Sequence, residues 1–333
     1  MKIFVTGAAG FIGFHVSRLL LSQGHEVVGF DGLTAYYDPA LKRGRVAILE
    51  QEPGFRFVEG MLEDQEGLSA LLRSEKPDVA IHLAAQAGVR YSLESPGSYI
   101  QSNIVGTASL LEALRQTPVK HLIFASTSSV YGGNMKMPFA ETDRADHPVS
   151  LYAATKKAGE AMVHSYSHLW GLPTTCFRFF TVYGPYGRPD MAPIKFASAI
   201  SAGRPIDVYG YGRMRRDFTY VDDLADAVVR LIPVTPQRGL PVENDSLSPV
   251  APYRIVNVAA GKAVELMDFI AALETALGRK AVLNLLPMQP GDVGATEAAT
   301  GLLHRLIGPM QTTPLEVGVQ RFVEWFSSYR ANE

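Results

Sequence analysis

Tyr152 and Lys156 stand four residues apart and have the side-chain types of an acid–base pair. On a helix, residues at this spacing project from one face, one turn apart. A lysine ammonium beside the phenol, with a second positive charge nearby, would favour the phenolate, so we expect the pKa of Tyr152 to fall from about 10 toward neutrality. Such a phenolate takes a proton from a hydroxyl group while hydride leaves the same carbon. The alternative is a surface pair without a catalytic function, which can have the same spacing.

Four consecutive hydroxyl side chains at residues 126–129 (STSS) favour the catalytic interpretation. They follow an apolar segment that ends at Ala125 and has the composition of a buried strand. Open α/β sheets bind their ligands at the carboxyl ends of the strands. The sequence therefore predicts that these hydroxyl groups face a ligand.

Three glycines near the amino terminus have the spacing of a dinucleotide-binding turn. Gly7, Gly10 and Gly13 follow a short apolar segment and open an amphipathic one. The first permits a tight turn, the second lets a pyrophosphate approach the backbone, and the third lets the helix pack closely on the sheet. The helix N-terminus then offers free N–H groups to the phosphates. An ordinary strand-to-helix turn is the alternative, but strand, spacing and helix agree here.

Asp31 ends the second predicted strand, where a carboxylate meets the ribose hydroxyls of a bound dinucleotide. A carboxylate there would repel a 2′-phosphate, and residues 32–35 contain no arginine to bind one. The sequence therefore predicts NAD rather than NADP. We expect the solvated face of a helix to carry Lys42, Arg43 and Arg45.

Residues 1–180 alternate short apolar segments with longer amphipathic ones, which predicts an α/β fold with a Rossmann-type doubly wound parallel sheet. The apolar segments are almost continuously hydrophobic, as in strands covered on both faces. Strands are predicted over residues 3–5, 26–30, 56–58, 79–83, 122–125 and 174–179, and helices over 14–23, 98–115 and 152–169.

Shorter elements are predicted after Thr181. They are helices near 193–202, 221–231, 265–277 and 315–329, strands near 206–209 and 254–258, and a surface loop over 233–253. We expect residues 1–180 to form the NAD-binding domain, with 217–258 returning to it. We expect residues 181–216 and 259–333 to form a smaller mixed α/β substrate domain.

The 333 residues are 47% hydrophobic and carry a net charge of -2. This length supports a large buried core, and the charge argues against a nucleic-acid or anionic-membrane surface. No apolar stretch is long enough to cross a bilayer. The single cysteine, Cys176, lies in an apolar run and is expected to be a buried thiol. One cysteine and no signal peptide predict a cytoplasmic protein, and the histidine spacings predict no metal site.

These features together resemble the extended short-chain dehydrogenase/reductase family, and the resemblance covers essentially the whole chain. Four stretches are similar to its nucleotide-sugar members: residues 82–91 (HLAAQAGVRY), 178–191 (RFFTVYGPYGRPDM), 216–223 (RDFTYVDD) and 288–293 (MQPGDV). The first two resemble the branch that acts on a hexuronate.

The resemblance implies a role for each matching residue. Thr127 matches the hydroxyl that binds the sugar 4-hydroxyl, Tyr152 the general base and Lys156 its partner. The cofactor would be lined by Gly7, Gly10, Phe11, Ile12, Gly13, Asp31, Leu62, Ala84, Ala85, Gln86, Ser126, Tyr152, Lys156 and Phe179. The substrate would be bound by Arg90, Thr127, Ser128, Ser129, Thr181, Arg188, Arg216 and Asp292. Among these, Ser128, Ser129 and Thr181 match residues around a sugar carboxylate, Arg216 a diphosphate ligand, and Asp292 the loop at the nucleoside.

The activity implied by the resemblance is NAD-dependent epimerisation at C4 of a UDP-hexuronate, from UDP-glucuronate to UDP-galacturonate. Its 4-keto intermediate is a β-keto acid, which loses CO₂ when the carboxylate bond aligns with the carbonyl π system. Directed hydrogen bonds from Ser128, Ser129 and Thr181 would hold the carboxylate out of that alignment. Related decarboxylases and dehydratases carry an acidic residue in the segment where Ser128 and Ser129 stand.

Three alternatives stay open at this point: another nucleotide-sugar epimerase, a UDP-glucuronate decarboxylase of the same fold, and a non-catalytic NAD-binding scaffold. The resemblance also implies a homodimer formed by the helices near 98–115 and 152–169. The chain departs from many relatives at Met61, where they have an aspartate near adenine, and at Gln289, where they have an arginine.

Overall fold

A computed structural model of the chain describes residues 1–289 and 291–330. Pro290, within the 288–293 stretch, and residues 331–333 lie outside the described residues. The strands are β1 (Lys2–Thr6), β2 (Glu26–Asp31), β3 (Phe55–Glu59), β4 (Val79–His82), β5 (His121–Thr127), β6 (Thr174–Phe179), β7 (Thr181–Tyr183), β8 (Ile206–Val208), β9 (Arg215–Tyr220), β10 (Tyr253–Val258), β11 (Ala263–Glu265) and β12 (Leu283–Leu285).

The helices lie on both sides of the main sheet and fill the carboxyl-terminal part of the chain. They are α1 (Phe11–Ser22), α2 (Pro39–Leu49), α3 (Gln65–Glu75), α4 (Tyr91–Glu94), α5 (Pro96–Tyr99), α6 (Gly106–Gln116), α7 (Leu151–Trp170), α8 (Ala192–Ser201), α9 (Val221–Leu231), α10 (Leu266–Leu277), α11 (Gly301–Ile307) and α12 (Leu315–Arg330). A π-helical segment (Ile100–Val105) joins α5 to α6, and 3₁₀ turns span Ser128–Tyr131 and Tyr209–Gly212.

The main sheet has seven parallel strands in the order β10-β6-β5-β4-β1-β2-β3. This confirms the predicted α/β class and doubly wound parallel sheet. The strand order reverses between β1 and β4, and such a switch point leaves a crevice at the carboxyl ends of the strands. The sheet therefore positions the loops after β1, β2, β4 and β5 around one crevice.

Alternation along β1 places apolar side chains on both faces of this sheet. Ile3 and Val5 are buried in one core cluster, which α1 and α9 also enter. Phe4 is buried in a second cluster on the opposite face, together with residues of α3, α6 and α7. Double coverage of this kind explains why the strands are almost continuously hydrophobic.

Two small sheets lie outside the main sheet. One contains β11, β9 and β7, and the other contains β12 and β8. They surround a third core cluster that includes Phe218, Phe269 and Phe322. Within residues 217–258, β10 joins the main sheet beside β6 and α9 packs on α1. Residues 217–220 also fall in this range, but they belong to β9, which pairs with β7 and β11 instead of a strand of the main sheet.

The predicted helix over 98–115 is not uniform, because its first part is π-helical. The wider turn there holds Asn103, which is buried and bonded to two separate elements. Its Nδ2 donates to the carbonyl oxygen of Gln86 and to Thr155 Oγ1, and its Oδ1 accepts from the Gln86 N–H. This residue therefore ties the loop after β4 to α7.

The prediction for α2 was wrong in one respect. The helix begins where the Asp38 carboxylate accepts from Ala40 N and Pro39 takes the first helical position. Of its three cations, Arg43 is exposed as predicted, but Lys42 and Arg45 are buried. They are buried because α2 lies against the glycine-rich turn rather than in solvent. No helix in the described part of the chain is long and apolar enough to span a membrane.

Candidate functional site

A cleft of about 450 Å³ lies at the carboxyl edge of the main sheet, and it brings together most of the predicted site residues. Every residue expected around the cofactor lines it, as do Thr127, Ser128, Ser129, Thr181 and Arg188. Three of the predicted substrate residues, Arg90, Arg216 and Asp292, do not line this cleft and lie together beside it.

The glycine-rich turn has the shape required for a close approach of phosphate groups. Gly7 has a φ of +72°, and a Cβ on it would lie 2.7 Å from the Ala84 N atom. A Cβ on Gly13 would lie 2.1 Å from the Gly7 carbonyl oxygen. Gly10 is the N-cap of α1 and supplies no capping side chain. No capping side chain therefore occupies the first N–H groups of α1. These free donors fit a dinucleotide pyrophosphate.

Asp31 is fixed at the end of β2 by two backbone donors. Its Oδ2 accepts from Ala9 N at 3.2 Å and its Oδ1 from Leu33 N at 2.9 Å. Burial raises the pKa of this carboxyl group, and the nearby Lys42 ammonium opposes that rise. The Lys42 Nζ atom also donates to the Thr34 carbonyl oxygen and hydroxyl at 2.9 and 3.0 Å. The position fits a ribose with free hydroxyl groups, as predicted for NAD.

Thr127 and Tyr152 both line the cleft, and the Thr127 hydroxyl lies close enough to the phenol to affect its pKa. The Tyr152 ring packs edge-on against Tyr99, with centroids 6.1 Å apart. Burial raises the pKa of Tyr152, while the nearby Thr127 hydroxyl and the charge of Arg188 lower it. Without a bound cofactor, burial outweighs these two effects, so the expected fall in the pKa, which requires a second positive charge beside the phenol, stays a prediction.

Lys156 is buried and lines the same cleft as Tyr152. Its ammonium lies over the Phe124 ring, 4.8 Å from the centroid, and burial lowers its pKa to about 8. The four-residue spacing does place Lys156 and Tyr152 on one helical side, but the lysine stem extends inward over β5.

The hydroxyl run forms a tight turn at the end of β5. The Ser129 N–H donates to Thr127 Oγ1 at 3.2 Å, and the Thr127 hydroxyl donates to Ser129 Oγ at 3.2 Å. Ser128 and Ser129 are half-buried and face the cleft. Among the described residues that line the cleft, the acidic ones are Asp31 and Glu63. Neither belongs to the 126–129 segment, so hydroxyl groups rather than a carboxylate occupy this wall.

Arg188 enters the cleft already paired with a carboxylate that the sequence had not indicated. Its Nε and Nη2 atoms donate to Asp190 Oδ1 and Oδ2 at 3.0 and 2.6 Å, and Nη2 also reaches the Ala87 carbonyl oxygen at 3.2 Å. The Tyr36 hydroxyl donates to Asp190 Oδ2 at 3.0 Å. The bidentate geometry fixes the plane of the guanidinium group.

Arg90 and Asp292, both predicted substrate residues, bind each other. The Arg90 Nη2 atom lies 3.3 Å from Asp292 Oδ2, and its guanidinium group lies 4.7 Å from the centre of the Tyr209 ring. The Arg216 Nη1 atom donates to the carbonyl oxygens of Arg215 and Gly294, and burial lowers the pKa of Arg216. These residues form a second polar group next to the cleft.

The two departures from related sequences have different surroundings. Met61 lines the cleft, and its sulfur would lie 2.3 Å from a Cβ on Gly32. Its thioether therefore covers the backbone next to Asp31. Gln289 Oε1 is buried and has no hydrogen-bond partner among the described residues.

Within residues 1–289 and 291–330, no group of three or more His, Cys, Asp or Glu side chains could hold a metal ion.

Sequence reasoning missed several residues that support the site, namely Tyr36, Arg45, Asn103, Glu160 and Asp190. Glu160 had a detectable signal, because it follows Lys156 by one helical turn and so occupies the same face of α7. A carboxylate on a face that also carries buried apolar residues requires a partner. The other partners come from distant parts of the chain and left no local pattern.

The chain is similar to known proteins over essentially its whole length. The sequence profile of the NAD dependent epimerase/dehydratase family matches residues 3–240. The probable UDP-glucuronate 4-epimerase of Rhizobium meliloti (strain 1021) is 56% identical, over 99% of this chain and 98% of its own length. UDP-glucuronate 4-epimerase 4 of Arabidopsis thaliana is 44% identical, over 100% of this chain and 77% of its own.

A similar solved structure is the UDP-glucuronic acid 4-epimerase of Bacillus cereus in complex with UDP-glucuronic acid and NAD. It superposes with a TM-score of 0.86 at 32% sequence identity, and the match covers 99% of this chain and 100% of that one.

Proposed function

The chain belongs to the NAD dependent epimerase/dehydratase family, and from this membership we propose that it converts UDP-glucuronate to UDP-galacturonate by epimerisation at C4. The observation that carries the proposal is the wall of Thr127, Ser128, Ser129 and Thr181 beside Tyr152, in one cleft with the glycine-rich turn. This wall offers hydroxyl donors to a sugar carboxylate where a decarboxylase of the same fold would carry an acidic group.

NAD bound in the cleft would accept a hydride from C4 of the sugar and return it to the opposite face. The free N–H groups at the start of α1 would bind the pyrophosphate, since no side chain of the turn competes for them. Asp31 would accept hydrogen bonds from the ribose hydroxyls, because its two backbone donors leave lone pairs on both carboxylate oxygens.

Tyr152 is the proton acceptor in this proposal, and Thr127 is the group that orients the sugar. Both side chains line the same cleft, and the 4-hydroxyl group would enter between them. Lys156 lies one turn further along α7 and adds a buried positive charge at the same end of the cleft. Proton removal from O4 by the Tyr152 phenolate would accompany departure of the hydride from C4.

Retention of the carboxylate is the remaining requirement of the reaction. The 4-keto sugar loses CO₂ if its C5–C6 bond aligns with the carbonyl π system. Hydroxyl donors from Ser128, Ser129 and Thr181 would hold the carboxylate by directed, charge-assisted hydrogen bonds while leaving the sugar free to present its other face. We infer from this arrangement that epimerisation, rather than decarboxylation, is the outcome.

The deciding experiment is incubation of the protein with UDP-glucuronate and, separately, with UDP-glucose, each with and without added NAD, followed by proton NMR. Formation of UDP-galacturonate supports the proposal. Formation of a UDP-pentose would indicate a decarboxylase, and turnover of UDP-glucose alone would indicate a neutral-sugar epimerase. Binding of NAD without any turnover would indicate a scaffold. Tyr152→Phe should abolish turnover and leave NAD binding intact, whereas Tyr166→Phe, at the outer part of α7, should retain activity.

We also propose a homodimer built on the helices near 98–115 and 152–169. Exposed apolar side chains on these segments support it, namely Ile100, Val105, Leu169 and Trp170. Light scattering that gives the mass of a single chain would contradict it. The buried Cys176 thiol is consistent with a cytoplasmic location, which cell fractionation would test.

We also propose which segments of the chain bind the cofactor and which bind the nucleotide sugar. We assign residues 1–180 with 217–258 to the cofactor and residues 181–216 with 259–333 to the nucleotide sugar. The place of β10 in the main sheet and the packing of α9 on α1 support the return of the 217–258 segment.

A further inference from the structure

Arg45 on α2 is fully buried, although its sequence context predicts a solvated position. Its Nη1 atom donates to the carbonyl oxygen of Ala9 at 2.8 Å and to the Tyr37 hydroxyl at 2.9 Å. Its Nη2 atom donates to the carbonyl oxygens of Tyr186 and Gly187 at 2.7 and 3.1 Å. One guanidinium group therefore joins the glycine-rich turn to the loop that precedes Arg188.

His15 on α1 holds the same loop one residue earlier. Its Nε2 atom lies 2.9 Å from the Pro185 carbonyl oxygen, and its Nδ1 atom lies 2.7 Å from Asp222 Oδ1. Three consecutive carbonyl oxygens, at residues 185–187, therefore face side chains from the two helices that flank the glycine-rich turn. The backbone that carries Arg188 into the cleft is fixed from the cofactor side.

The charge of Arg45 is not balanced by a direct ion pair. All of the hydrogen-bond acceptors it has among the described residues are carbonyl or hydroxyl oxygens. The Asp31 carboxylate lies close enough for its charge and that of Arg45 to interact, but the two are not bonded. A buried cation without a bonded carboxylate is unfavourable, and a further anion nearby would stabilise it. Ala9 lies between Gly7 and Gly10, in the turn that fits a pyrophosphate. A dinucleotide bound there would bring negative charge next to the Arg45 guanidinium group.

We propose that Arg45 is a positioning residue that couples the dinucleotide site to the nucleotide-sugar site. The dinucleotide's phosphates would order the glycine-rich turn, and the Ala9 carbonyl oxygen of that turn holds Arg45. Arg45 in turn holds the carbonyl oxygens of Tyr186 and Gly187, and this loop presents Arg188 to the sugar. Because such coupling is reciprocal, each ligand should tighten the binding of the other by the same factor. The identity of the two ligands rests on the proposed function.

Isothermal titration calorimetry measures this coupling with NADH and UDP-glucuronate. NADH already carries the hydride, so it does not oxidise the sugar during the titration. We expect NADH to tighten UDP-glucuronate binding to the wild-type protein by about fivefold or more. In Arg45→Met we expect the factor to fall below about twofold, with UDP-glucuronate binding to the cofactor-free protein changed little. Arg43→Met is the matched control on the exposed face of α2 and should keep the wild-type factor.

Arg45→Lys provides the second measurement, which also decides the matter if Arg45→Met does not fold. Lysine keeps the charge but cannot span both sets of carbonyl oxygens, so the coupling factor should lie between those of Arg45→Met and wild type. A purely structural role would lower thermal stability and leave the factor unchanged. An unchanged factor in Arg45→Lys, or no coupling in the wild type, overturns the inference. Failure of the wild type to bind UDP-glucuronate under any condition would instead contradict the proposed function.

Discussion

Glu160 binds Arg178 through two hydrogen bonds of 2.9 Å, from Nε to Oε1 and from Nη2 to Oε2, and both side chains are almost completely buried. The Ser126 hydroxyl donates to the same Oε1 atom at 2.6 Å. This one carboxylate therefore ties α7 to β6 and β5. Because α7 carries Tyr152 and β5 ends in Thr127, the ion pair fixes the relative position of the two groups that would meet the sugar.

Glu160→Gln should destabilise the protein by about 3–5 kcal/mol, because it leaves the Arg178 charge buried without a counter-charge. Urea unfolding followed by tryptophan fluorescence measures this change. Glu52→Gln removes an exposed carboxylate of the same type and should change the free energy of unfolding by less than about 0.5 kcal/mol. Equal changes in the free energy of unfolding for the two substitutions would show that the buried carboxylate stabilises the protein no more than an exposed one does.

The same ion pair predicts a loss of stability in acid. Burial raises the pKa of Glu160, but the hydrogen bonds and charge of Arg178 lower it more, so that the net pKa lies below its usual value of 4.5. The stabilisation is therefore complete above pH 4.5 and is lost as the pH falls through the lower pKa of the folded state. Thermal unfolding between neutral pH and pH 3 should show a smaller decrease in Tm for Glu160→Gln than for wild type. A decrease of the same size in both would contradict this assignment.

Asp31→Asn should weaken NAD binding by roughly 10- to 100-fold, since an amide replaces the charged acceptor facing the ribose hydroxyls. Binding of NADH to the cofactor-free protein, followed by its fluorescence, gives the dissociation constant directly. The control is Asp146→Asn, which changes an exposed carboxylate and should leave the constant unchanged. An NADH affinity of wild-type strength in Asp31→Asn would remove Asp31 from the cofactor site.

Ser128→Ala and Ser129→Ala should release CO₂ from a larger fraction of the 4-keto intermediate. Each substitution removes a donor to the sugar carboxylate, and loss of a charge-assisted hydrogen bond is expected to raise the ratio of UDP-pentose to UDP-galacturonate by roughly tenfold. Proton NMR of the products gives the ratio. Ser165→Ala, on the outer face of α7, should not change it. If both serine variants lose activity without any UDP-pentose, the hydroxyl wall is not what retains the carboxylate.

The Tyr152 phenol should titrate differently before and after NAD binds. In the protein's own environment burial holds the pKa of Tyr152 above 10, against the opposing effects of Thr127 and Arg188. A cationic nicotinamide ring next to the phenol should lower that pKa by at least about one pH unit. The difference in tyrosinate absorbance between wild type and Tyr152→Phe, recorded with and without NAD, measures it. An identical titration in both states would mean that the cofactor's charge does not activate the base.

Much of the site could be predicted because its chemistry is encoded in short segments. The glycines at 7, 10 and 13, the hydroxyl run at 126–129 and the Tyr152/Lys156 spacing each depend on the periodicity of one helix or the end of one strand. The strands of the first 180 residues were predictable for the same reason, because double burial leaves them almost continuously apolar. Local spacing thus specified which groups reach the carboxyl edge of the sheet.

Local spacing did not predict which charged side chains are buried or what they contact. Arg45 and Lys42 have the composition of a solvated helix face, yet α2 packs on the glycine-rich turn and buries both. Lys156 is four residues from Tyr152 as expected, and its ammonium lies over the Phe124 ring of β5, a contact that the spacing does not predict. Neither outcome follows from the spacing of residues within one helix.

The sequence by itself determined the α/β class, the NAD-binding turn and the acid–base groups, since these depend on residues close together in the chain. Only the tertiary structure decided which charges are paired: Arg178 with Glu160, Arg188 with Asp190, and Arg45 with carbonyl oxygens at both edges of the cleft. The physical reason is that a buried charge must find its partners among whatever side chains and carbonyl groups the packed elements bring within about 3 Å. For Arg45 those partners come from segments far apart in sequence, so packing alone selects them.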